Sequence, residues 1–293
     1  MKHKSGFVNI IGNPNVGKST LMNTLIGQKL SITTNKVQTT RHRIKGILNS
    51  DDYQIVFSDT PGFINPSYKL QESMMNYVYS AFKDADILIY MVEPEENQNS
   101  NDQIFKIIEE TQVPLLILIN KIDLYDQNIV KKEIKKWSQK YSNSKVIPIS
   151  ALNNFNISNI KKNIIDLLPI SPPYFEKDAI TDKSSRFFVE EIIREKILIH
   201  YKKEIPYSVQ IQVEDFIESK DSIEIRAVIY VMRESQKGII IGHRGLGLKR
   251  IGSEARKDIE NMLGKHIYLH TPVKVKKNWR KDTSQLKKFG YQS

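Results

Sequence analysis

The stretch Gly12-Asn13-Pro14-Asn15-Val16-Gly17-Lys18-Ser19 determines how this chain is organised. The apolar residues 7–11 before it are typical of a buried strand, and residues 20–26 after it have helical spacing and end before a glycine. Between a strand and a helix, the pattern G-x-x-x-x-G-K-[ST] predicts a phosphate-binding loop (P-loop), because its backbone N–H groups converge on phosphate oxygens. A chance turn is the alternative, and the lysine and serine disfavour it. We expect residues 12–20, which end at Thr20, to bind a nucleotide, with Lys18 on the β- and γ-phosphates and Ser19 on Mg²⁺.

Length and composition exclude several classes of protein. A chain of 293 residues exceeds the usual size of one domain, so we expect two domains with separate cores. The absence of cysteine excludes disulfides and thiolate metal sites and fits a cytoplasmic protein. The N-terminus leads directly into the first strand, so we expect no signal peptide, and apolar runs such as residues 115–119 are too short to span a bilayer.

The positive charge of the chain is concentrated near its end. The net charge is +11, and residues 237–293 hold 14 basic against 4 acidic residues, which accounts for +10 of it. Such a segment is typical of a surface that contacts nucleic acid or an anionic membrane. A solvated charged surface is the alternative, and charge alone does not decide between the two.

Strand and helix patterns alternate over residues 7–168 and predict an α/β fold. Six apolar runs predict strands at residues 7–11, 44–48, 53–58, 87–92, 115–119 and 146–149. Helical patterns lie between them, for example at residues 101–111 and 128–141. Strands that are apolar throughout indicate a mostly parallel sheet with helices on both faces. Ligands of such sheets bind at the carboxyl ends of the strands.

The motif Asp59-Thr60-Pro61-Gly62 follows the third predicted strand. Asp59 can hold Mg²⁺, and the N–H of Gly62 can approach a γ-phosphate. Taken alone, these four residues are typical of an ordinary turn. Their position about forty residues after a P-loop favours the nucleotide site instead.

The motif Asn120-Lys121-Ile122-Asp123 follows the fifth predicted strand and indicates that the base is guanine. The carboxylate of Asp123 can accept hydrogen bonds from the N1–H and the exocyclic amine of guanine, a donor pair that adenine lacks. The stem of Lys121 can cover the plane of the base. We expect Asn120 to tie this segment to the P-loop.

Two further segments complete the predicted site. A backbone N–H of Ser150-Ala151-Leu152, after the sixth strand, can meet the guanine O6. The polar residues 33–43 lie between the first helix and the second strand, and a threonine there can ligate Mg²⁺ and sense the γ-phosphate. We expect Thr40 rather than Thr39 to do so, which gives Ser19, Thr40 and Asp59 as the predicted metal ligands.

In this order, the motifs resemble those of P-loop GTPases over about residues 5–168. The resemblance implies binding of GTP and GDP and Mg²⁺-dependent hydrolysis, with Lys18, Thr40 and Asn15 in catalytic roles. Phe63 occupies the position at which Ras-like enzymes place the glutamine that orients water, so we expect slow hydrolysis. Asn15 matches an asparagine that holds K⁺ in the translation-factor-related branch, and the alternative is that Asn15 is only a turn residue.

A segment with three prolines divides the chain. Pro169, Pro172 and Pro173 cannot lie within a helix or a central strand, so we expect a GTPase domain at 1–168, a linker at 169–183 and a second domain at 184–293. In the second domain, residues 186–198 and 248–262 predict helices, and residues 207–213, 223–231 and 267–275 predict strands. The pattern indicates a smaller α+β domain with a basic tail.

The sequence Gly242-His243-Arg244-Gly245 lies between an apolar run and a basic helix. Two glycines at this spacing are common in turns, but the order of elements around them resembles a type II KH domain, whose loop clamps about four nucleotides. The resemblance implies that RNA is bound by Gly242, His243, Arg244, Gly245, Lys249, Arg250, Lys274, Lys276, Lys277, Trp279 and Arg280. Trp279 can either stack on a base or cap the core.

The chain resembles, nearly end to end, the Era family of bacterial GTPases with a C-terminal KH domain. Residues 236–242, 251–260 and 273–280 carry the resemblance in the second half, and His243-Arg244 differs from the Lys-Gly or similar pair common in the family. The resemblance implies binding of small-subunit ribosomal RNA near its 3′ end during maturation of the small ribosomal subunit. It also implies a cytoplasmic location with weak peripheral contact to the inner membrane face. We expect a monomer that does not bind DNA.

Two alternatives stay open at the level of sequence. The first is a constitutive RNA-binding assembly factor with a mainly structural nucleotide site, because Phe63 fits slow turnover and no turnover equally well. The second is a membrane-surface GTPase whose basic tail binds anionic lipid. The absence of a long amphipathic basic helix and of a lipidation motif disfavours the second alternative.

Overall fold

The computed structural model describes residues 2–96 and 102–291 of the chain. Three of the sequence predictions extend outside the described residues: the GTPase domain at Met1, the helix 101–111 at Asn101, and the basic tail at residues 292–293. The chain forms two compact units. The first contains the residues up to Pro66 and Met74–Asp182, and the second contains Ser67–Ser73 and the residues from Lys183 onward.

A six-stranded sheet forms the centre of the first unit. Its strands are β1 (Lys4–Gly12), β2 (Ile44–Asn49), β3 (Tyr53–Asp59), β4 (Ile87–Val92), β5 (Leu115–Ile119) and β6 (Lys145–Pro148). They lie in the order β2-β3-β1-β4-β5-β6, with β2 antiparallel to β3 and the other neighbours parallel. The predicted mostly parallel sheet is confirmed, and the predicted strands match these bounds to within a few residues.

Helices cover this sheet. They are α1 (Lys18–Ile26), α2 (Lys69–Lys83), α3 (Asp102–Glu110), α4 (Gln127–Lys140) and α5 (Ile157–Leu167). On β4, Leu88 and Tyr90 pack in an apolar cluster with side chains of α2, α3 and α4. Ile87 and Ile89, which point to the opposite face, are also fully buried. Burial on both faces explains why the strands read as continuous apolar runs.

The proline-containing segment packs along the outer edge of β2. Gly46 and Thr181 form an antiparallel bridge, and the N–H of Ile47 donates to the carbonyl of Ile180 at 2.8 Å. The buried side chain of Gln54 accepts hydrogen bonds from the N–H groups of Tyr174 and Phe175. Residues 169–182 are therefore held in place by the first unit.

The second unit contains a sheet with helices packed against it. Its elements are α6 (Ser185–His200), α7 (Ile205–Ser208), β7 (Gln210–Glu218), β8 (Ser222–Val231), α8 (Glu234–Ile241), α9 (Leu246–Leu263), β9 (His266–His270), β10 (Val273–Val275) and α10 (Thr283–Lys288). Strand β8 pairs antiparallel with β7 on one side and parallel with β9 and β10 on the other. Buried residues of α6, α9 and the sheet share one apolar core.

The structure corrects two expectations in the second unit and assigns one segment that the sequence left open. Tyr207 lies in α7, one residue after Pro206, and not in a strand, because proline favours the first turn of a helix. The apolar run 238–241 is the end of α8, whose secondary structure the sequence left open. The last predicted strand is divided into β9 and β10 by Thr271 and Pro272. None of the helices in residues 2–96 and 102–291 is both long enough and apolar enough to cross a membrane.

Candidate functional site

The P-loop connects β1 to α1 with tight backbone packing. Gly17 has φ 101°, and a Cβ at this position would lie 2.3 Å from Nδ2 of Asn120. Glycine is therefore required, both because of the left-handed conformation and because of this close approach. The conformation brings the start of α1 against the segment that follows β5.

A cleft of about 530 Å³ lies over this loop. Most of the predicted nucleotide residues line it, namely Pro14, Asn15, Gly17, Lys18, Ser19, Thr20, Thr40, Gly62, Asn120, Lys121, Asp123, Ser150 and Leu152. Gly12, Val16, Asp59 and Ala151 are buried, and Asn13 is half-buried. Residues that are more than a hundred positions apart in the sequence thus lie around one cleft in the structure.

Lys18 is buried at the base of this cleft. Its ammonium donates hydrogen bonds to the carbonyl oxygens of Gly12 at 3.0 Å and Asn13 at 2.7 Å. Burial lowers the pKa of Lys18 to about 8, against the attraction of Asp59 and Glu96. An anionic ligand in the cleft would offset this cost of burying a cation.

Three oxygen-bearing side chains converge beside Lys18. The hydroxyl of Ser19 donates to Oδ2 of Asp59 at 2.7 Å and lies 3.0 Å from the hydroxyl of Thr40, which donates to Oδ2 of Asp59 at 3.2 Å. Burial raises the pKa of Asp59, and its Oδ1 is buried without a hydrogen-bond partner among the described residues. Oxygen donors with an unpartnered carboxylate oxygen fit Mg²⁺, which takes few protein ligands and retains water or phosphate oxygens.

The structure separates Thr39 from Thr40. The hydroxyl of Thr39 donates to the carbonyl of Lys36 at 2.6 Å and contacts the hydroxyl of Thr34. Thr40 is thus the threonine that lies beside Ser19 and Asp59, in agreement with the sequence preference. The metal role of Thr40 stays a prediction.

Asn120 joins the segments that carry the phosphate and base residues. Its Nδ2 donates to the carbonyl of Val16 at 2.7 Å, and its Oδ1 accepts from the N–H of Ala151 at 2.9 Å. The structure contains the tie to the P-loop that the sequence predicted. The N–H of Ser150 donates to the carbonyl of Phe155, so two of the three N–H groups predicted for the guanine O6 already have partners.

Two acidic residues of the site, Glu93 and Glu96, belong to none of the motifs recognised in the sequence. Glu93 follows β4 and accepts hydrogen bonds from Lys121 at 2.7 Å and from the hydroxyl of Tyr125 at 2.9 Å. Glu96 accepts from Nδ2 of Asn13 at 2.6 Å. The one feature of the sequence that could have identified them is their position after a parallel strand, because ligands of such sheets bind at the carboxyl ends of the strands.

The Gly-x-x-Gly loop of the second unit is a tight turn at the start of α9. Gly242 and Gly245 have φ 71° and 78°, and no side chain among the described residues caps the first N–H groups of α9. Uncapped N–H groups at a helix N-terminus can bind phosphate. The hydroxyl of Tyr201 donates to the carbonyl of Ile240 at 2.8 Å and holds the end of α8 just before the loop.

The predicted RNA residues fall into two groups. His243, Arg244 and Lys249 are exposed on the loop and the first turns of α9, Lys277 is exposed near the C-terminus, and Arg250 is exposed on α9 but pairs with Glu254 at 3.2 Å. The others contact the protein itself: Lys274 pairs with Glu214, Lys276 lies over the Tyr230 and Phe289 rings, and Arg280 donates to the carbonyl of Tyr207.

Trp279 requires a correction. Its side chain is fully buried, and its indole N–H donates to the carbonyl of Ser208 at 3.1 Å. Its ring packs edge-to-face against Phe289. A buried ring cannot stack on a base, so the capping alternative describes Trp279.

Both halves of the chain match known families. Residues 7–121 match the family described as 50S ribosome-binding GTPase, and residues 204–280 match the KH domain family. The GTPase Era of Thermoanaerobacter sp. (strain X514) is 44% identical over 294 residues, covering 99% of this chain and 97% of the relative. The GTPase Era of Geotalea uraniireducens (strain Rf4) is 42% identical over 291 residues, covering 99% and 98%.

Two solved structures are similar over the whole chain. One is the crystal structure of Era in complex with MgGDPNP and nucleotides 1506–1542 of 16S ribosomal RNA, with a TM-score of 0.95 and 36% identity over 99% of this chain and 100% of that one. The other, a tyrosine-to-alanine variant of Aquifex aeolicus Era bound to GDP and AlF4⁻, gives the same values. The order of a P-loop GTPase domain followed by a KH domain is therefore shared with these proteins.

Proposed function

Because the chain belongs to the Era family of GTPases, we propose that its first unit binds and hydrolyses GTP while its KH domain binds small-subunit ribosomal RNA. The observation that carries this proposal is the full-length similarity to an Era whose crystal structure holds both MgGDPNP and 16S ribosomal RNA. In this proposal the protein acts in maturation of the small ribosomal subunit, and the nucleotide state controls its docking on the RNA.

GTP hydrolysis in the first unit would depend on two positively charged groups, a bound Mg²⁺ ion and the ammonium of Lys18. Ser19, Thr40 and Asp59 would hold Mg²⁺, which neutralises charge on the β- and γ-phosphates when it is bound. Lys18 would exchange the carbonyl oxygens of Gly12 and Asn13 for phosphate oxygens. The buried position of its ammonium strengthens that interaction.

We propose slow turnover, because Phe63 occupies the position at which Ras-like enzymes place their glutamine. Phe63 is 4% exposed and packs in the apolar cluster with Tyr90, and its N–H donates to the carbonyl of Gly12. Backbone groups and residues 33–43 would position the water instead. A single-turnover assay with Mg²⁺ and K⁺ tests this. Hydrolysis no faster than in buffer would favour a constitutive RNA-binding factor with a structural nucleotide site.

We propose that K⁺ binds near Asn15. The Nδ2 of Asn15 donates to the carbonyl of Asn35 at 3.1 Å, which leaves Oδ1 as a ligand. Asn15 has φ 64°, so Asn15→Gly keeps the left-handed turn and removes only the side chain. We expect faster hydrolysis in K⁺ than in Na⁺, and loss of that difference in Asn15→Gly. Equal rates in both salts, or K⁺ stimulation that survives in the variant, would contradict the cation site.

We propose that Asp123 selects guanine. Asp123 lines the cleft and its side chain is exposed there. Asp123→Asn exchanges an acceptor for a donor and should shift preference from GTP towards xanthosine triphosphate. Competition binding with both nucleotides measures the shift, and unchanged guanine preference would remove Asp123 from the base pocket.

We propose that the Gly-x-x-Gly loop and the start of α9 contact the RNA backbone. Arg244→Gln and Lys249→Gln should each weaken binding of a 3′-terminal fragment of small-subunit ribosomal RNA and lower the salt slope by about one. Lys220→Gln, in the exposed turn between β7 and β8, is the matched control. If all three variants bind alike, the loop is not the RNA site.

We further propose a cytoplasmic monomer with weak peripheral contact to the inner membrane face. Light scattering at several protein concentrations tests the monomer. Competition between RNA and anionic vesicles tests the membrane contact. Vesicles that displace RNA would support a shared basic surface, and vesicles that do not bind would remove the membrane contact.

A further inference from the structure

Glu93 accepts two hydrogen bonds from residues 120–125, the segment proposed to bind guanine. Its Oε2 accepts a hydrogen bond from the ammonium of Lys121 at 2.7 Å, and its Oε1 accepts one from the hydroxyl of Tyr125 at 2.9 Å. The Lys121 and Glu93 side chains are only 30% and 25% exposed. A pair shielded to this degree is stronger and more salt-resistant than one on the open surface.

The two contacts lie symmetrically about Asp123. Lys121 is two residues before Asp123 and Tyr125 is two residues after it, and a 3-10 turn, Ile122–Leu124, lies between them. In the described part of the chain, the Asp123 carboxylate makes no hydrogen bond or ion pair of its own. Its direction is therefore set by the backbone of the turn, whose two ends are fixed by one carboxylate.

The backbone of this segment requires such support. Lys121 has φ 61° and ψ 30°, the left-handed region that L-residues rarely occupy. Conformations of this kind persist where surrounding contacts hold them, and they cluster at ligand sites. The contact with Glu93 also fixes the far end of the side chain of Lys121, a residue that lines the cleft.

We infer that Glu93 is the positioning residue for base recognition: through Lys121 and Tyr125 it fixes the segment on which Asp123 selects guanine. This inference rests on the base pocket proposed above. It adds a residue from the end of β4 that is not among the residues lining the cleft. Without Glu93, Asp123 would retain its charge and lose its fixed direction.

The test variant is Glu93→Gln, and Glu95→Gln is the matched control. Glu95 lies in the same turn with an exposed side chain. We expect Glu93→Gln to release GDP about tenfold faster, as loss of one charge-assisted contact implies. Discrimination of GTP from inosine triphosphate, which lacks the exocyclic amine, should fall by a similar factor. The change should lie in KM rather than in kcat, and Glu95→Gln should match the unmodified protein.

A double-mutant cycle separates positioning from general stability. Adding Glu93→Gln to Lys121→Gln should speed GDP release less than Glu93→Gln does alone, because the contact between these two residues is already lost and only the contact of Glu93 with Tyr125 remains. Additive effects would overturn the inference. So would a Glu93→Gln variant that unfolds at lower temperature but keeps its discrimination between GTP and inosine triphosphate.

Asp123→Asn, measured in parallel, distinguishes the two ways of failing. If it gains no preference for xanthosine triphosphate, the proposed base pocket is wrong. If it gains that preference while Glu93→Gln behaves like Glu95→Gln, the pocket stands and the role of Glu93 is overturned.

Discussion

Asn120 and Val16, 104 residues apart, are joined by a 2.7 Å hydrogen bond from the side-chain amide to the backbone carbonyl. The same side chain accepts from the N–H of Ala151 at 2.9 Å and is only 3% exposed. One buried amide thus links the segments that follow β1, β5 and β6. The phosphate end and the base end of the cleft are therefore parts of one hydrogen-bonded structure.

Replacing Asn120 with alanine should weaken both folding and nucleotide binding. The change leaves the carbonyl of Val16 and the N–H of Ala151 buried without partners, which costs about 1–3 kcal/mol for each such group. We expect a lower free energy of unfolding for the first unit and GDP affinity reduced about tenfold or more. Urea unfolding and GDP titration measure the two effects. Asn128→Ala, on the exposed start of α4, is the control, and similar results for both variants would contradict the linking role.

Thr40 and Thr39 provide a matched pair for the metal site. Only the hydroxyl of Thr40 lies beside Ser19 and Asp59 in the described structure. Thr40→Ala should lower the single-turnover rate of GTP hydrolysis by about a hundredfold, the scale seen when one group that stabilises developing charge, such as an oxyanion-hole donor, is lost. It should also raise the Mg²⁺ concentration needed for half-maximal rate. A larger loss in Thr39→Ala would show that the segment rearranges when triphosphate binds.

Gly247 and Gly252 lie on the same helix, α9, and alanine should act on them in opposite directions. A Cβ on Gly247 would lie 2.8 Å from the carbonyl oxygen of Ile240 and 2.8 Å from the hydroxyl of Tyr201. Gly247→Ala should therefore destabilise the second unit by about 1–3 kcal/mol and displace the Gly-x-x-Gly loop. At Gly252 the nearest atom is 3.7 Å away, so alanine should stabilise the helix by about 0.5–1 kcal/mol.

The unfolding temperature and the RNA affinity of the two glycine variants test this prediction. We expect Gly247→Ala to lower both the unfolding temperature and the affinity for RNA. Gly252→Ala should raise the first and leave the second unchanged. Equal RNA affinity in the two variants would show that the contact between Tyr201 and Ile240 does not position the loop.

Glu190 should make the second unit less stable as the pH rises. Its carboxylate accepts a hydrogen bond from the N–H of Val213, and burial, together with the neighbouring Glu191, raises the pKa of Glu190 from 4.5 to about 7. Because the folded state binds the proton more tightly, this contribution is fully present below pH 4.5 and is lost as the pH rises through 7. We expect it to lower the free energy of unfolding by about 1–2 kcal/mol between pH 5 and pH 8.

The single tryptophan of each unit allows a clean measurement of this effect. In a Trp137→Phe background, Trp279 fluorescence reports unfolding of the second unit during urea titration. Glu190→Gln should reduce the difference between pH 5 and pH 8, and the exposed Glu204→Gln should not. An unchanged pH dependence in Glu190→Gln would assign it to other groups.

The first half of the fold could be predicted because its strands are buried on both faces. Runs such as Leu115–Ile119 contain only apolar residues, so their positions are evident without neighbours. The second half was less predictable where short elements meet. Residues 238–241 have no periodicity that separates helix from strand, and the division at Pro272 depends on how β8 pairs with β9 and β10.

The site could be predicted as far as its motifs extend. Lys18 and Asn120 lie where the sequence placed them, because each follows a parallel strand of the central sheet, and Thr40 reaches the cleft from the segment between α1 and β2. Glu93 was missed because a single acid after a strand has no distinctive pattern. Trp279 was ambiguous because aromatic residues among lysines occur both in RNA sites and over cores, and only its burial distinguishes them.

The packing of residues 179–182 on β2 determines where the first unit can be truncated without exposing an open strand edge. An outer strand with free N–H and C=O groups recruits strands from other molecules, and here the N–H groups of Lys45 and Ile47 are already occupied by Asp182 and Ile180. A chain truncated after Leu168 would leave those groups bare and should self-associate. A chain truncated after Asp182 keeps them covered, so solubility, and not only activity, depends on where the cut is made.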